Sequence, residues 1–138
     1  MKSLKITPTS DKFEREGVWT EYSGVNIKIA RSNSKAYRME VMRLTKPYKR
    51  QLDSNDPSVN SKLEDIFCRA MSHHILVDWK DFKIDNEEIE YTEQNAYSLL
   101  KNDEDCRTFI TDFADQQANY YEEETEEVVG KSVISSVG

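Results

Sequence analysis

The chain has 138 residues, of which 33% are charged, and its formal net charge at pH 7 is −7. This length predicts one domain with a single hydrophobic core. The sequence has no apolar run of about 18 residues that would predict a membrane span. Its first ten residues lack the apolar block of a signal peptide. We therefore expect a soluble intracellular protein.

Charge is distributed unevenly along the chain. Residues 1–50 carry 12 Lys or Arg and 5 Asp or Glu, whereas residues 51–100 carry 4 and 11, and residues 101–138 carry 3 and 10. A basic third beside two acidic thirds can attract within one molecule or head-to-tail between copies. The basic third has no Gly-rich phosphate loop and no array of exposed aromatic residues, so the sequence does not indicate nucleic-acid binding.

The chain begins with a predicted flexible arm, residues 1–15, which is polar and poorly patterned. A β-hairpin is predicted next, because apolar and polar side chains alternate over residues 18–22 and again over residues 25–29. Ser23-Gly24 lies between these two runs. This pair suits a two-residue turn, since glycine accepts a positive φ angle.

The first predicted helix covers residues 32–50. Its apolar stripe has the spacing of an amphipathic helix and consists of Tyr37, Val41, Leu44 and Tyr48. Asn33 or Ser34 can cap the start of this helix. Pro47 is expected to end or kink it, because proline lacks a backbone N–H and clashes with the preceding turn.

The second predicted helix begins near Pro57, with Asp56 or Ser58 as its cap. A wide apolar stripe indicates that this helix faces the core, and it comprises Val59, Leu63, Ile66, Phe67 and Ala70. In the same register the helix would continue over residues 73–77. Extended or turn-rich chain is then predicted, with a turn at Asp85-Asn86.

Residues 89–91 alternate apolar and acidic side chains, as in a short strand. Thr92 is positioned to cap a short helix whose inner face is Ala96, Leu99 and Leu100. Asp103 or Asn102 then separates this helix from the last one, which is predicted from about Glu104 to Tyr121. Cys68 and Cys106 fall on the apolar faces of their helices, so we expect two buried free thiols.

These elements predict a mainly α fold with a small N-terminal β-hairpin, in the α+β class, with about four amphipathic helices around one core. The single globular domain is expected to cover residues 16–121. Residues 122–138 are expected to form an acidic, mobile C-terminal tail, because they begin with EEETEE and have no apolar stripe. The acidic run is also a candidate interaction segment.

Candidate chemistry centres on His73 and His74, which precede a stretch with six acidic side chains. Adjacent residues on a helix point about 100° apart, so we expect the two histidines to face apart and not to share a metal ion. The sequence has no spaced nucleophile, base, phosphate-loop or metal motif. We therefore expect no catalytic residue, no enzymatic activity, no metal and no cofactor.

Several segments in order resemble those of one protein family, and together they span residues 16–127. They are EGVWTEYSGVNIKIAR, a basic helix ending in LTKPYKR, ILVDWKDF with its Asp78-Trp79 pair, IEYTEQNAYSLLKND and FITDFADQQANYYEEETEE. Their order and spacing resemble the tail assembly chaperones of long-tailed bacteriophages, which are encoded just upstream of the tape measure protein. None of these segments carries a catalytic motif.

The resemblance implies a non-enzymatic protein that coats and solubilises the tape measure protein in the host cell cytoplasm, before the tail tube polymerises. The implied partners are the tape measure protein, further copies or a longer frameshifted form of the chain, and tail tube subunits. Gly130-Lys131 stands where many family members have the slippery site for that frameshift. We expect no contact with a membrane or with nucleic acid.

Aromatic side chains are the candidate contacts with the client or with a second copy, because they supply a large contact area at low entropic cost. They are Trp19, Tyr22, Tyr37, Tyr48, Trp79, Phe82, Tyr120 and Tyr121. Each is also a candidate core residue, and for Trp79 the core is favoured because an apolar run leads into it. The alternative function is a permanent structural phage protein, such as a head–tail connector or a minor tail component.

Overall fold

An antiparallel sheet packed against helices forms the core of the computed structural model, which describes residues 6–122. The fold is mainly helical with an N-terminal β-hairpin, which confirms the predicted α+β class. The α-helices are α1 (Asp11–Glu16), α2 (Lys35–Thr45), α3 (Lys49–Asp53), α4 (Asn60–His74), α5 (Glu93–Asn102) and α6 (Glu104–Asp115). The strands are β1 (Val18–Tyr22), β2 (Val25–Ile29), β3 (Leu76–Lys80), β4 (Lys83–Ile84) and β5 (Glu87–Glu88). Short 3₁₀ helices cover Lys46–Tyr48, Pro57–Val59 and Gln117–Tyr120.

The hairpin forms where the sequence predicts it. β1 and β2 pair in antiparallel register, with Val18 opposite Ile29. Ser23 (φ 49°) and Gly24 (φ 82°) make the turn. Two positive φ angles are those of a type I′ turn, whose twist matches that of the flanking strands.

The predicted continuation of the helix beyond His74 is wrong, whereas the extended chain predicted around Trp79 is confirmed. The helix ends at His74, and the next residues form β3, which pairs with β2 so that Trp79 lies opposite Ile27. The sheet order is therefore β1-β2-β3. The hydrogen bonds that stabilise this strand come from β2, which is distant in sequence, so local apolar spacing does not reveal them.

A two-stranded sheet pairs β4 with β5. Asp85 (φ 52°) and Asn86 (φ 66°) connect the strands, which confirms the predicted turn. The strand predicted at residues 89–91 lies earlier, at β5. The reason is that the second strand of a hairpin with a two-residue turn begins directly after the turn. Ile89 and Tyr91 pack against the core beyond this strand.

Side-chain caps place several helix starts as predicted. Ser34 caps α2, Thr92 caps α5 and Asp103 caps α6, and each side-chain oxygen accepts a hydrogen bond from the backbone N–H three residues later. Asp56 caps the 3₁₀ helix that leads into α4, and its carboxylate accepts a hydrogen bond from the backbone N–H of Ser58. Pro47 lies in the 3₁₀ helix that separates α2 from α3, which agrees with the expected kink or end.

The last helix is shorter than predicted, because α6 ends at Asp115 and not at Tyr121. Gln116 is extended (φ −92°, ψ 110°), and the chain then turns through a 3₁₀ helix. This turn leaves the Tyr120 ring fully buried, and its hydroxyl donates a hydrogen bond to the carbonyl oxygen of Ile29 at 3.1 Å. Such a contact between distant segments is not encoded in helical periodicity.

The predicted arm contains a short helix that its residue pattern does not indicate. α1 begins after Ser10, whose hydroxyl accepts a hydrogen bond from the backbone N–H of Phe13. The N–H of Ser10 donates to the carbonyl oxygen of Tyr120 at 2.8 Å, and Thr9 pairs with Tyr121. A six-residue helix is too short to be marked by apolar periodicity, and its stability comes from tertiary contacts. The division of the chain into arm, domain and tail stays a prediction.

Most of the predicted tail lies outside the described residues, including Gly130-Lys131 and all of the acidic run except Glu122. Cys68 and Cys106 are both buried and free, as predicted. Burial raises the pKa of each thiol, to about 12 for Cys106. None of the helices between residues 6 and 122 is long and apolar enough to cross a membrane.

The main core joins the sheet to α4, α5 and α6. Its buried side chains are Ile27, Ile29, Cys68, Met71, Ile75, Leu76, Trp79, Ala96, Leu100, Cys106, Ile110 and Ala114. The helix α2 packs on α4, but none of its own residues is fully buried. It therefore presents a large part of its surface to solvent.

Candidate protein-binding surfaces

The predicted contact residues divide into three groups by exposure. Trp79 and Tyr120 are buried, at 5% and 0% exposure. Trp19 and Tyr121 are exposed, at 38% and 40%. The others are half-buried, and they are Tyr22, Tyr37, Tyr48 and Phe82. The sequence does not say which of these residues share a surface. The structure separates those that pack in the core from those that lie on the surface.

Trp79 is a packing residue at the joint between β3 and the segment before α5. Its indole N–H donates to the carbonyl oxygen of Ile89 at 2.8 Å. The rings of Phe82 and Tyr91 each meet the Trp79 ring edge-to-face, with centroids 5.0 Å apart. Like Tyr120, this side chain offers no surface to a partner in the folded protein.

Trp19 lies on the outer side of the sheet, since alternate residues of β1 point to opposite faces. It stands opposite Lys28, which stands opposite Asp78. The ammonium group of Lys80 lies 4.4 Å from the centroid of the Trp19 ring, and that of Lys28 lies 5.7 Å away, so both make cation–π contacts. We call this set, Trp19, Lys28, Asp78 and Lys80, the sheet face. It is an exposed aromatic ring surrounded by charges.

A second exposed surface lies on α2 and the turn after it. Met39 and Met42 are 57% and 69% exposed and lie one helical turn apart. Exposed cations flank them at Lys35, Arg38, Arg43 and Lys46. We call these six residues the Met face. The apolar stripe of the helix does not include this surface, although two methionines off that stripe among cations are visible in the sequence.

A groove lies between α4 and α6 and ends at the start of α2. It encloses about 530 Å³. We call it the α4–α6 groove and define it by Tyr37, Phe67, Met71, Ile75, Asp112 and Asp115. Phe67 was predicted to face the core, but its side chain is 41% exposed in this groove. The walls are apolar, and carboxylates lie at the edge.

Charge at the edge of the α4–α6 groove is negative. Arg107 and Lys101 both lie near the Glu64 carboxylate, at 3.7 Å and 3.6 Å. Asp115 accepts a hydrogen bond from the Ser32 hydroxyl. Asp112 and Asp115 are exposed, and neither has an ion-pair partner among residues 6–122. The groove therefore favours an apolar occupant that carries positive charge at its edges.

The histidine pair is arranged differently from the prediction that the two rings face apart. His73 Nδ1 lies 2.7 Å from one carboxylate oxygen of Glu40, and His74 Nε2 lies 2.8 Å from the other. One ring uses its near nitrogen and the other its far nitrogen, so two diverging side chains reach one carboxylate. Partial burial raises the pKa of Glu40, but the hydrogen bonds from both histidines outweigh it and hold this pKa below its usual value.

The cluster of Glu40, His73 and His74 joins α2 to the end of α4 by hydrogen bonds between the two helices. Within residues 6–122, no group of three or more His, Cys, Asp or Glu side chains is arranged to hold a metal ion. The sequence signal for the cluster is weak, because Glu40 is one of many acids and its distance in sequence from the histidines is arbitrary.

A comparison with known protein families places most of the chain in a described family. The family described as YdaY prophage protein matches residues 32–131, which is well over half of the chain and includes the Met face and the α4–α6 groove. No curated protein and no solved structure matches the chain. The chain is thus a phage-derived protein that belongs to the YdaY prophage protein family.

Proposed function

We propose that the chain is a non-enzymatic chaperone of phage tail assembly, which coats and solubilises the tape measure protein before the tail tube polymerises. Its origin in a prophage protein family supports a role in building a phage particle. The order of its sequence segments, which resembles that of tail assembly chaperones, supports this particular role. The site of action is the host cell cytoplasm, and no cofactor is required.

The observation that carries the proposal is the presence of exposed apolar side chains set among charges on more than one side of the domain. For the client we assign the sheet face, where Trp19 is an aromatic anchor with a charged rim. Aromatic anchors of this kind contribute a large share of binding energy at protein interfaces. The surrounding charges keep the face soluble when no client is bound.

A coat built in this way is tight and still displaceable. One Trp19 anchor gives a modest affinity per copy. Many copies along one elongated client, linked by contacts between neighbours, raise the overall affinity because each further binding event becomes effectively intramolecular. Tube subunits that compete for the client then remove the copies one at a time.

The test is co-expression with the tape measure protein that is encoded downstream in the same prophage. We expect the tape measure protein to be soluble and to co-purify with the chain, and to be insoluble without it. Trp19→Ser should reduce both effects, whereas Ile84→Ser, at another exposed apolar side chain, should not. Equal solubility of the tape measure protein with and without the chain, with no complex recovered, would refute the proposal.

Mass spectrometry of purified phage particles separates this function from that of a permanent structural protein. A chaperone is absent from the mature particle, whereas a connector or a minor tail component is present in many copies. The nucleotide sequence across codons 128–138 tests the longer form separately. A slippery heptamer with an open overlapping frame at Gly130-Lys131 is expected if the frameshifted form is made.

A further inference from the structure

The α4–α6 groove has the properties of a receptor for a basic helix. Phe67 is its exposed apolar side chain and Tyr37 is half-buried beside it, whereas Met71 and Ile75 line it from the core at 4% and 1% exposure. Its edge carries the exposed carboxylates of Asp112 and Asp115. An occupant that satisfies both features needs two apolar side chains on one side of a helix and cations beside them. Helices commonly dock in apolar grooves through anchors spaced by three or four residues.

The Met face of the same chain is such a helix surface. Met39 and Met42 are its apolar anchors, and methionine is flexible enough to fit an irregular groove. Residues 35–50 contain six Lys or Arg and a single acid, Glu40. That acid is directed toward His73 and His74 and not into the Met face. Among residues 6–122 none of the Met-face cations forms an ion pair, so this surface is positive there.

These two surfaces lie on different sides of α2. Tyr37 lines the groove, and at 100° per residue Met39 and Met42 are rotated from it by about 200° and 140°. The Met face therefore points away from the groove of its own molecule. A contact between the two surfaces must join different copies, and because the surfaces are not the same patch it is heterologous.

We propose that the Met face of one copy docks in the α4–α6 groove of a second copy, head to tail. A head-to-tail dimer still presents one free Met face, on one copy, and one free groove, on the other, so the contact adds further copies until a ring closes or a filament forms. Opposite charges on the two surfaces orient the encounter and disfavour groove-to-groove and face-to-face pairs. The partner at this surface is thus the chain itself.

The first experiment measures the mass of the purified full-length chain by analytical ultracentrifugation as a function of concentration. We expect the mass to rise from the monomer value of 16.1 kDa past that of a dimer. The double variant Met39→Ser/Met42→Ser should raise the protein concentration that is needed for assembly at least tenfold. The variant Asp112→Lys should do the same. Phe67→Ser is a second groove variant, and Ile84→Ser should assemble like the parent protein. All of the substituted side chains are exposed, and far-UV circular dichroism confirms folding.

Mixing two defective variants distinguishes this contact from any other. The Met39→Ser/Met42→Ser variant keeps an intact groove, and Asp112→Lys keeps an intact Met face, so an equimolar mixture should form one-to-one dimers and grow no further. A parent chain that stays monomeric would overturn the proposal. So would variants that assemble normally, or a mixture that stays monomeric or grows past a dimer.

This contact supplies the link between neighbours that the proposed coat uses, but its test needs no client. Loss of assembly in the Met-face variant with client binding retained through Trp19 would separate the two surfaces. A chain that assembles but fails to solubilise the tape measure protein would refute the chaperone role and leave the head-to-tail contact standing. Assembly should also weaken as salt is raised from 0.15 M to about 1 M, because the charges at the contact are exposed.

Discussion

Replacing Gly17 by alanine should destabilise the protein more than replacing Gly24 does, although both glycines have positive φ angles. Gly17 (φ 99°, ψ 164°) joins α1 to β1 in a backbone region that is essentially restricted to glycine. A Cβ atom at Gly17 would lie 3.0 Å from Val77 Cγ2 and 3.2 Å from the carbonyl carbon of Ile29. A Cβ atom at Gly24 (φ 82°) would have no heavy atom within 4 Å.

The two substitutions therefore share backbone strain but differ in packing. Strain at a positive φ angle costs about 1–3 kcal/mol, and forcing an extra carbon into a packed site costs about 1–3 kcal/mol more. We expect a loss of about 2–6 kcal/mol for Gly17→Ala and about 1–2 kcal/mol for Gly24→Ala. The carbonyl carbon of Ile29 belongs to a paired strand, so it cannot move away as a flexible side chain would.

Urea denaturation of the parent protein and both variants measures this difference. The free energy of unfolding should fall further for Gly17→Ala, with the denaturant slope unchanged. Losses that are equal within error would show that close approach to Val77 and Ile29 contributes nothing. A loss below about 1 kcal/mol for Gly17→Ala would refute the strain argument as well.

Other predictions concern buried polar groups and ionisation. Tyr120→Phe removes the hydroxyl that donates to Ile29, so unfolding in urea should show a loss of about 1–3 kcal/mol; an unchanged midpoint would contradict the buried hydrogen bond. Burial raises the pKa of Cys106 from 9.0 to about 12, so the unfolded chain releases this proton first and stability should fall as pH rises from about 9 to 12. Cys106→Ala should show a smaller fall than the parent protein in urea midpoints at pH 7 and pH 10. The pKa of Glu40 is lowered below 4.5, so its contribution is present above that pH and is lost as pH falls through the lower, folded value. Glu40→Gln should be less stable at pH 7 and less sensitive to acid, and an identical acid transition would contradict the histidine contacts.

The proposed surfaces show how far residue patterns predict a binding site in this chain. Aromatic residues were the predicted contacts, and the structure buries Trp79 and Tyr120 while it exposes Trp19. Residue type alone does not decide between packing and contact, because a tryptophan suits both. Met39 and Met42 carried a usable signal, since they lie off the apolar stripe among cations. The α4–α6 groove had no usable signal in the sequence, because its walls come from helices that are separated in sequence.

Local interactions are what the sequence by itself determined. The caps at Ser34, Thr92 and Asp103 and the turn at Ser23-Gly24 are formed by residues a few positions apart. Their hydrogen bonds and backbone angles depend on local residue types, so the pattern predicts them. Apolar periodicity similarly placed the helices that surround the core and the buried thiols within them.

Only the tertiary structure decided the features that depend on distant partners. β3 is a strand because β2 lies beside it, and the chain after α6 turns back so that Tyr120 reaches Ile29. Glu40 draws together two histidines whose side chains diverge locally. In each case the stabilising contact comes from a segment far away in sequence, and its free energy outweighs the local preference for a longer helix or for separated rings.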